Sequence, residues 1–356
     1  MQQIEITDRE AGQRLDRYLQ KYMKVAPKSF FYKMLRKKNI TLNGRKAAGM
    51  ERLEAGDIIS LFLSDETIAK FRGMDAGDLT VRQDRNGDTE QQARSLSAGS
   101  QRKDWKELKV LYEDRDILVI NKPQGMLSQK AAREDVSLVE YITEYLSGQN
   151  GVQDTFSPGI CNRLDRNTTG LVVGGKSVRG LQWMNALFRE RRLRKYYLCI
   201  VQGVIPQADW IDGYLIKDGK HNTVHIVKQQ REKADRIITE YEPLQYGAWD
   251  GVRYTLLRVH LITGKSHQIR AHLSSIGHPL IGDTKYGRKE INQAFRQQFQ
   301  LRYQLLHAWE LYLPDNDPSL PEKYWGKYFV APLPEQFLQI MREMGMQPLE
   351  TKERRA

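Results

Sequence analysis

Cysteine is scarce in this chain. Cys161 and Cys199 are the only two among 356 residues. They form no Cys-x-x-Cys pair, so neither a disulfide framework nor paired-cysteine zinc is expected, and a reducing cytoplasm is. No apolar run approaches the roughly 20 residues that a membrane-spanning helix needs. The start, Met1-Gln2-Gln3-Ile4-Glu5, lacks the basic and apolar regions of a signal peptide. A cytoplasmic location with no membrane association is therefore expected. Histidine pairs at metal spacing are missing as well. His221 and His225 are four apart, but in a polar stretch that reads as strand or loop. His267 and His272 are five apart, which is off one helix face, and there is no His-Glu-x-x-His. No metal or other cofactor is expected. A Gly-x-Ser-x-Gly nucleophile elbow is also absent.

What the chain has in excess is positive charge. Its formal net charge of +12 calls for a polyanionic partner, nucleic acid before an anionic membrane surface. The length leaves room for two domains. Residues 13–63 read as a small basic module. Arg14-Leu15-Asp16-Arg17-Tyr18-Leu19 opens a first helix. Phe30, Phe31, Met34 and Leu35 lie at helical spacing in a second, which starts after Pro27. Its other face carries Lys33, Arg36, Lys37 and Lys38. Ile40-Thr41-Leu42 is a strand, Asn43-Gly44 a hairpin turn before Arg45, and Gly56-Asp57 turns into a strand at Ile58–Leu63. From 73 to 104 large apolar residues almost vanish, so a flexible linker is expected there.

From Trp105 a second domain is expected, with strands at Val110–Tyr112 and Ile117–Ile120. Ser137-Leu138-Val139-Glu140 forms a capping box for a helix with Val139, Ile142 and Leu146 on one face. The helix at 178–189 turns Leu181, Met184 and Leu187 inward and leads to a strand from Tyr196 to Val201. More strands fill 210–262. Ser266 is the expected N-cap of a helix burying Ile269, Leu273 and Ile276, with Arg270 flanking that face and Gly277 closing it. A last helix at 334–344 buries Phe337, Ile340 and Met341, and the charged end from Glu350 frays. Many strands with a few helices indicate an α+β domain with a mixed sheet rather than a doubly wound one.

The stretch that carries chemistry is Cys161-Asn162-Arg163-Leu164-Asp165-Arg166-Asn167-Thr168-Thr169-Gly170. Asp165 sits between two arginines, and opposite charge favours an ionised carboxylate. It is either a structural ion pair in a turn or a nucleophile. Gly170 and Gly175-Lys176-Ser177 satisfy a P-loop pattern, but Leu171-Val172-Val173 between them wants to be a buried strand, not a phosphate-cradling loop.

Two resemblances sharpen this reading. The first module resembles the S-four-type RNA-binding domain through Arg14-Leu15-Asp16, the Lys33–Asn39 helix end, Thr41-Leu42-Asn43-Gly44 and Gly56-Asp57. From about 108 to 340 the chain resembles the RluA-type pseudouridine synthases. The matching motifs, in order, are Asn121-Lys122-Pro123-x-Gly125, Arg163-Leu164-Asp165 with Thr168-Thr169-Gly170, Lys195-Tyr196-Tyr197, Gly264-Lys265-Ser266-His267-Gln268-Ile269-Arg270, Ile281–Gly287 and Leu306-His307-Ala308. The resemblance implies the pseudouridine synthase fold, with a largely antiparallel central sheet and flanking helices. It implies an isomerase that needs no cofactor, with Asp165 as the catalytic carboxylate and Arg270 pairing with it. Tyr197 packs on the uracil and can take the proton from carbon 5, with Tyr196 on the opposite strand face. Arg163 fills the gap left by the flipped base. Further RNA contacts are expected from Arg166, Lys265, His267 and, in the first module, Lys33, Arg36, Lys37, Lys38 and Arg45. The expected partner is RNA, 23S ribosomal RNA or a pre-ribosomal particle, bound by a monomeric chain. A tRNA synthase, or a non-catalytic RNA-binding protein of ribosome assembly, are the alternatives. The expected layout is 1–72 RNA-binding domain, 73–104 linker, 105–345 catalytic domain and 346–356 tail. Two positions depart from the family. Asn162 replaces the usual His, with an effect expected on loop packing or RNA contact. Lys265-Ser266 replaces Arg-Thr, which keeps charge but loses the guanidinium fork.

Overall fold

The computed structural model describes residues 1–73, 108–148, 156–219, 221–232 and 234–349. The expected linker, save Gly73, and the stretch from Glu350 lie outside the described residues. The N-terminal part forms a small α/β unit: β1 (Gln2–Glu5), α1 (Leu15–Tyr22), α2 (Lys28–Arg36), β2 (Ile40–Leu42), β3 (Arg45–Lys46), β4 (Ile58–Leu61) and α3 (Asp65–Arg72). Its sheet runs β1-β4-β2-β3 and is antiparallel throughout. Pro27 opens α2, and Phe31, Met34 and Leu35 pack with Leu15 and Leu19 of α1 in one core. Asn43 and Gly44 take φ of 51° and 71°, the left-handed pair that a two-residue hairpin requires. β1 and α3 were not legible, being a four-residue strand and a short polar helix capped by Ser64 and Gly73.

The larger part contains β5 (Val110–Glu113), β6 (Ile117–Lys122), α4 (Leu138–Gly148), β7 (Gly159–Ile160), β8 (Thr169–Gly175), α5 (Val178–Arg189), β9 (Arg194–Gln202) and β10 (Asp209–Asp218). It continues with β11 (Thr223–Val227), β12 (Asp235–Trp249), β13 (Val252–Leu261), α6 (Gln268–Ser275), α7 (Lys289–Phe299), β14 (Leu306–Tyr312), β15 (Tyr328–Val330) and α8 (Glu335–Glu343). An 11-stranded sheet has the order β11-β10-β12-β13-β9-β14-β8-β6-β5, with β15 on β14 and β7 on β8. All its described pairs are antiparallel except β8 with β14. The fold is α+β with a mixed, largely antiparallel sheet, as expected.

That parallel seam positions the site. Gly170 pairs with Ala308, and Ala308 pairs with Tyr197, so three strands align in one row. Gly170 has φ +108°, and a Cβ there would lie 2.1 Å from the Ala308 carbonyl oxygen. Only glycine allows this approach. The residues of the P-loop pattern do other work. β8 is buried along its whole length, Lys176 donates to Glu113 at 2.5 Å, and Ser177 caps α5 through the Gly180 amide at 3.0 Å.

Several expectations need correction. Only half of the Ser137–Glu140 capping box forms: the Glu140 carboxylate accepts the Ser137 amide at 2.9 Å and the Ser137 hydroxyl at 2.7 Å, and Leu138 rather than Val139 is buried beside Ile142 and Leu146. Ser266 does not cap α6. The helix starts at Gln268, and His267 holds the cap position at φ 57° with no side-chain cap. The left-handed turn at His267 delays the helix, and the Gln268 oxygen folds back over that turn to accept the Lys265 amide at 3.1 Å. Ile276 is exposed, since α6 ends at Ser275, one residue before it. The expected tail also begins too early. Met346 is buried in the core with Phe337, Ile340 and Met341, and Leu349 packs against it.

His307 of β14 is buried between the Thr169 hydroxyl (2.7 Å) and the Ala331 carbonyl (3.1 Å). A carbonyl only accepts, so Nε2 donates and Nδ1 takes the hydroxyl proton. That fixes a neutral ring, and burial pulls its pKa down to about 4. The unfolded ring takes a proton near its ordinary value of about 6.5. The stabilisation is therefore complete above that value and lost as pH falls from it towards the folded value, by about 3 kcal/mol in all. Urea unfolding across this range should show wild type losing stability faster than His307→Gln; parallel slopes would refute this assignment.

Candidate active site

The loop from Cys161 to Thr168 is pinned before it presents anything. Asn162 extends the edge of β8 with its side chain. Its amide nitrogen donates to the Leu171 carbonyl at 3.0 Å and its oxygen accepts the Val173 amide at 2.8 Å. These two partners fix which way the amide points. Ser128 both accepts the Leu164 amide (3.0 Å) and donates to the Leu164 carbonyl (2.8 Å). The Arg166 carbonyl accepts from the Gly125 amide and the Lys122 ammonium, each at 3.0 Å.

Lys122 is fully buried, and its other contacts are the carbonyls of Pro123 (3.1 Å) and Met126 (2.9 Å). Burial lowers its pKa to about 7, opposed by the nearby Asp165 charge. Three carbonyls match the three N–H bonds of an ammonium. A neutral amine would turn its lone pair on one of them, so these contacts act against the effect of burial.

On this support Asp165 points into a cleft of about 450 Å³, within the usual size of ligand pockets. Arg270 Nη1 meets its Oδ2 at 3.0 Å. The rest of that guanidinium forks onto Asp283, Nε to Oδ2 at 2.7 Å and Nη2 to Oδ1 at 2.8 Å. Asp283 is fully buried. Burial works against its charge, but the Arg270 contacts and the amides of Lys285 and Tyr286 outweigh that and hold its pKa down. Arg270 is likewise buried. Burial opposes its charge, and the two carboxylates raise its pKa in spite of that.

Tyr197 lines the same cleft. Burial, reinforced by the Asp165 charge, raises its pKa, so the site holds a phenol and not a phenolate. Tyr196 faces the other side of the sheet, stacked on His260 at 4.8 Å and beneath the Arg258 guanidinium at 3.7 Å. His267 places Nε2 3.9 Å from Asp165 Oδ2. Its Nδ1 lies 3.0 Å from the Tyr286 hydroxyl, which accepts the Val224 amide at 2.8 Å. Burial lowers the His267 pKa, so the ring is neutral near pH 7.

The structure thus brings together Asp165, Tyr197, Arg270, His267, Lys265 and Arg163. The cation on Asp165 is Arg270, not its sequence neighbours. Arg163 is exposed at the cleft and reaches Gln129 at 3.4 Å, and exposed Arg166 is not among the lining residues. Lys265 is tied to Asp235 at 2.8 Å. Lys33, Arg36, Lys37, Lys38 and Arg45 lie exposed on the N-terminal unit. Sequence reasoning gave no role to Asp283, Lys122, Ser128 or Gln268. The Gly282-Asp283 and Lys122-Pro123 pairs stood out, but Arg270 lies 13 residues from Asp283 and the Arg166 carbonyl 44 from Lys122.

The RNA pseudouridylate synthase family pattern matches residues 116–275. The tRNA pseudouridine synthase C of Vibrio parahaemolyticus is 32% identical over 212 residues, 58% of this chain and 84% of that protein. The ribosomal large subunit pseudouridine synthase C of Vibrio cholerae is 26% identical over 311 residues, 86% of this chain and 87% of that one. Among solved structures, human RNA pseudouridylate synthase domain containing 4 shares the fold, with a TM-score of 0.55 at 23% identity over 68% of this chain and 95% of its own.

Asn162 holds its loop through two backbone groups that nothing else in the site meets. Asn162→Ala should cost about 1–2 kcal/mol in urea unfolding, with Asn162→Asp intermediate because it keeps the acceptor for Val173. Unchanged stability in the alanine variant would mean that water replaces the clamp.

Proposed function

This chain belongs to the RNA pseudouridylate synthase family and is an isomerase acting on RNA, and from that premise we propose that Asp165 is its nucleophilic carboxylate and large-subunit ribosomal RNA its substrate. The observation that carries the first part is the Asp165–Arg270–Asp283 relay at the floor of the cleft, with Tyr197 beside it. The isomerisation breaks the bond from ribose C1′ to uracil N1 and makes one from C1′ to C5. Carbon 5 loses a proton and N1 gains one, so nothing is oxidised or reduced. A charged carboxylate aimed by a bidentately anchored arginine suits attack on the nucleoside. Tyr197 supplies a flat apolar wall for the ring. As a buried phenol it is suited to packing and to donating a hydrogen bond, rather than to taking the C5 proton.

The target base must leave its stack to reach this cleft. Arg163, exposed and held only by Gln129, is placed to enter the space the base vacates. Lys265 and His267 border the same opening. The N-terminal unit is read as an S-four-type RNA-binding domain in which Lys33, Arg36, Lys37, Lys38 and Arg45 meet phosphates. Support comes from α2, which buries one apolar face and leaves Lys33 and Arg36 in water, with Lys37, Lys38 and Arg45 exposed after it. The protein acts where RNA is made and assembled, in the cytoplasm.

The choice of ribosomal RNA rests on the reach of the similarity. The alignment with the large-subunit synthase of V. cholerae is longer than everything after residue 104, so it takes in part of the N-terminal unit. The match to the tRNA synthase is short enough to fit within the catalytic part. Mapping pseudouridines in total RNA from cells with and without the gene tests this directly. Sites lost from the large-subunit RNA support it, and sites lost only from tRNA sink it.

Asp165→Ala should retain RNA binding while losing all measurable pseudouridine formation; turnover comparable to wild type would overturn its role. Deletion of residues 1–72 should weaken RNA affinity and flatten its dependence on salt, because each lost phosphate contact removes about 0.7–0.9 from the slope. An unchanged slope would show that the N-terminal unit binds something other than RNA.

A further inference from the structure

Among the described residues Lys195 has neither a carboxylate nor a hydrogen-bond acceptor, which at the cleft it shares only with exposed Arg191. It starts β9 two residues before Tyr197 and projects from the same face of the strand, so the two side chains stand roughly 7 Å apart along it. Its ammonium lies against Gly264, where an added Cβ would meet Nζ at 3.6 Å. The neighbouring cations are otherwise placed. Lys265 is bonded to Asp235, Arg270 to Asp165 and Asp283, and Arg163 to Gln129. Lys195 has no hydrogen-bond acceptor and no carboxylate. It is half-buried, and burial, with the like charge of Arg191, lowers its pKa to about 8. Holding an unpaired cation away from water is costly. The cost is recovered when a ligand brings the anion.

We propose that Lys195 is the phosphate anchor of the flipped nucleotide, gripping an RNA backbone phosphodiester beside the uridine whose base packs on Tyr197. This rests on the reading of the cleft as the isomerisation site. The geometry is one of division of labour along a single strand: the base at Tyr197, the backbone at Lys195, the sugar between them facing Asp165. Gly264 leaves room for the phosphate to come down to the ammonium, which a side chain there would fill.

The proposal has a pH signature. A phosphate beside Lys195 favours its charged form, so RNA binding takes up a proton wherever the free ammonium has lost one. Affinity should therefore fall as pH rises past about 8. Other charged or titratable groups also face Lys195. From the turn after α5 come Arg189 and Arg191, always charged. From the loop before α6 come Lys265, exposed and bonded to Asp235, and His267, already neutral. Tyr197 on its own strand and Cys161 across the cleft are both raised by burial, the thiol to about 12, and Asp165 and Arg270 are paired with each other.

The test uses the full-length protein and bulk RNA from cells lacking the gene, labelled with tritium at uridine C5, so that isomerisation releases tritium to water. Wild type, Lys195→Gln and Lys195→Arg are compared from pH 7 to 9.5. At pH 7, Lys195→Gln should raise KM on the order of tenfold, leave kcat within about threefold, and lower the salt slope of KM by about 0.7. Wild-type KM should rise above pH 8 and level off near the Lys195→Gln value, about tenfold in all. Lys195→Arg, which keeps its charge, should restore most of the affinity and show no such rise. Equal KM values in all three proteins, or a loss confined to kcat with the pH profile unchanged, would overturn the proposal while leaving Asp165 in place. Release by wild type that persists in Asp165→Ala would instead remove the reading of the cleft, and the anchor with it.

Discussion

One guanidinium serves two carboxylates, and the site depends on that sharing. The fork of Arg270 closes on buried Asp283, and the remaining nitrogen reaches Asp165 at the cleft. Planar geometry makes this possible; an ammonium in the same place could not meet both acids in fixed directions. The arrangement couples stability to alignment. Asp283 has no exposure, so without Arg270 its charge would be stranded in the core, a loss of several kcal/mol. The arginine is thus held by a need unrelated to substrate, and its free nitrogen is aimed as a consequence. One positive charge between two negative ones leaves the cluster with a net negative charge, and neutral His267 does not cancel it.

The second support comes from beneath. Lys122 reads no side chain at all; it binds three backbone carbonyls, one of them on the residue after Asp165. Together with Ser128 and Asn162 it satisfies the polar backbone of a loop that would otherwise need water. A loop so fully hydrogen-bonded has little freedom to relax, and the carboxylate it carries is presented in one position. This is preorganisation built from backbone contacts, with charge supplied only where the ligand will sit.

Much of this was legible in the chain. Helical spacing placed α2, α5 and α8, with α5 matching its expected bounds. The apolar run Leu171-Val172-Val173 ruled out a phosphate loop before any coordinates did. Asp165 and Arg270 stood out because their motifs follow a family's order. What escaped had physical causes. Strand alternation says that Tyr196 and Tyr197 face opposite ways, but both faces of β9 carry aromatic or cationic neighbours, so the pattern could not choose. Ser266 looked like a helix cap because local chemistry favours it there, yet the chain enters α6 through a left-handed residue, His267, one position later. Asp165 between Arg163 and Arg166 suggested a local ion pair, whereas its partner lies 105 residues away in sequence. Contacts of that kind, and those of Lys122, depend on which strands become neighbours, and no local periodicity encodes that.

The seam between β8 and β14 has a consequence for how the molecule comes into being. The strands that carry the Asp165 loop belong to one antiparallel block, β5 to β8, and the strand that carries Tyr197 belongs to another, β9 to β13. In the described sheet the two blocks do not pair with each other; β14, from the last sixth of the chain, lies between them. Each block can form from neighbours in sequence as it leaves the ribosome. Their union has to wait for a strand that is made much later, and contacts of long sequence separation are slow to close. A nascent chain therefore holds its acid and its aromatic wall apart until β14 has been made, and acquires a working cleft only then.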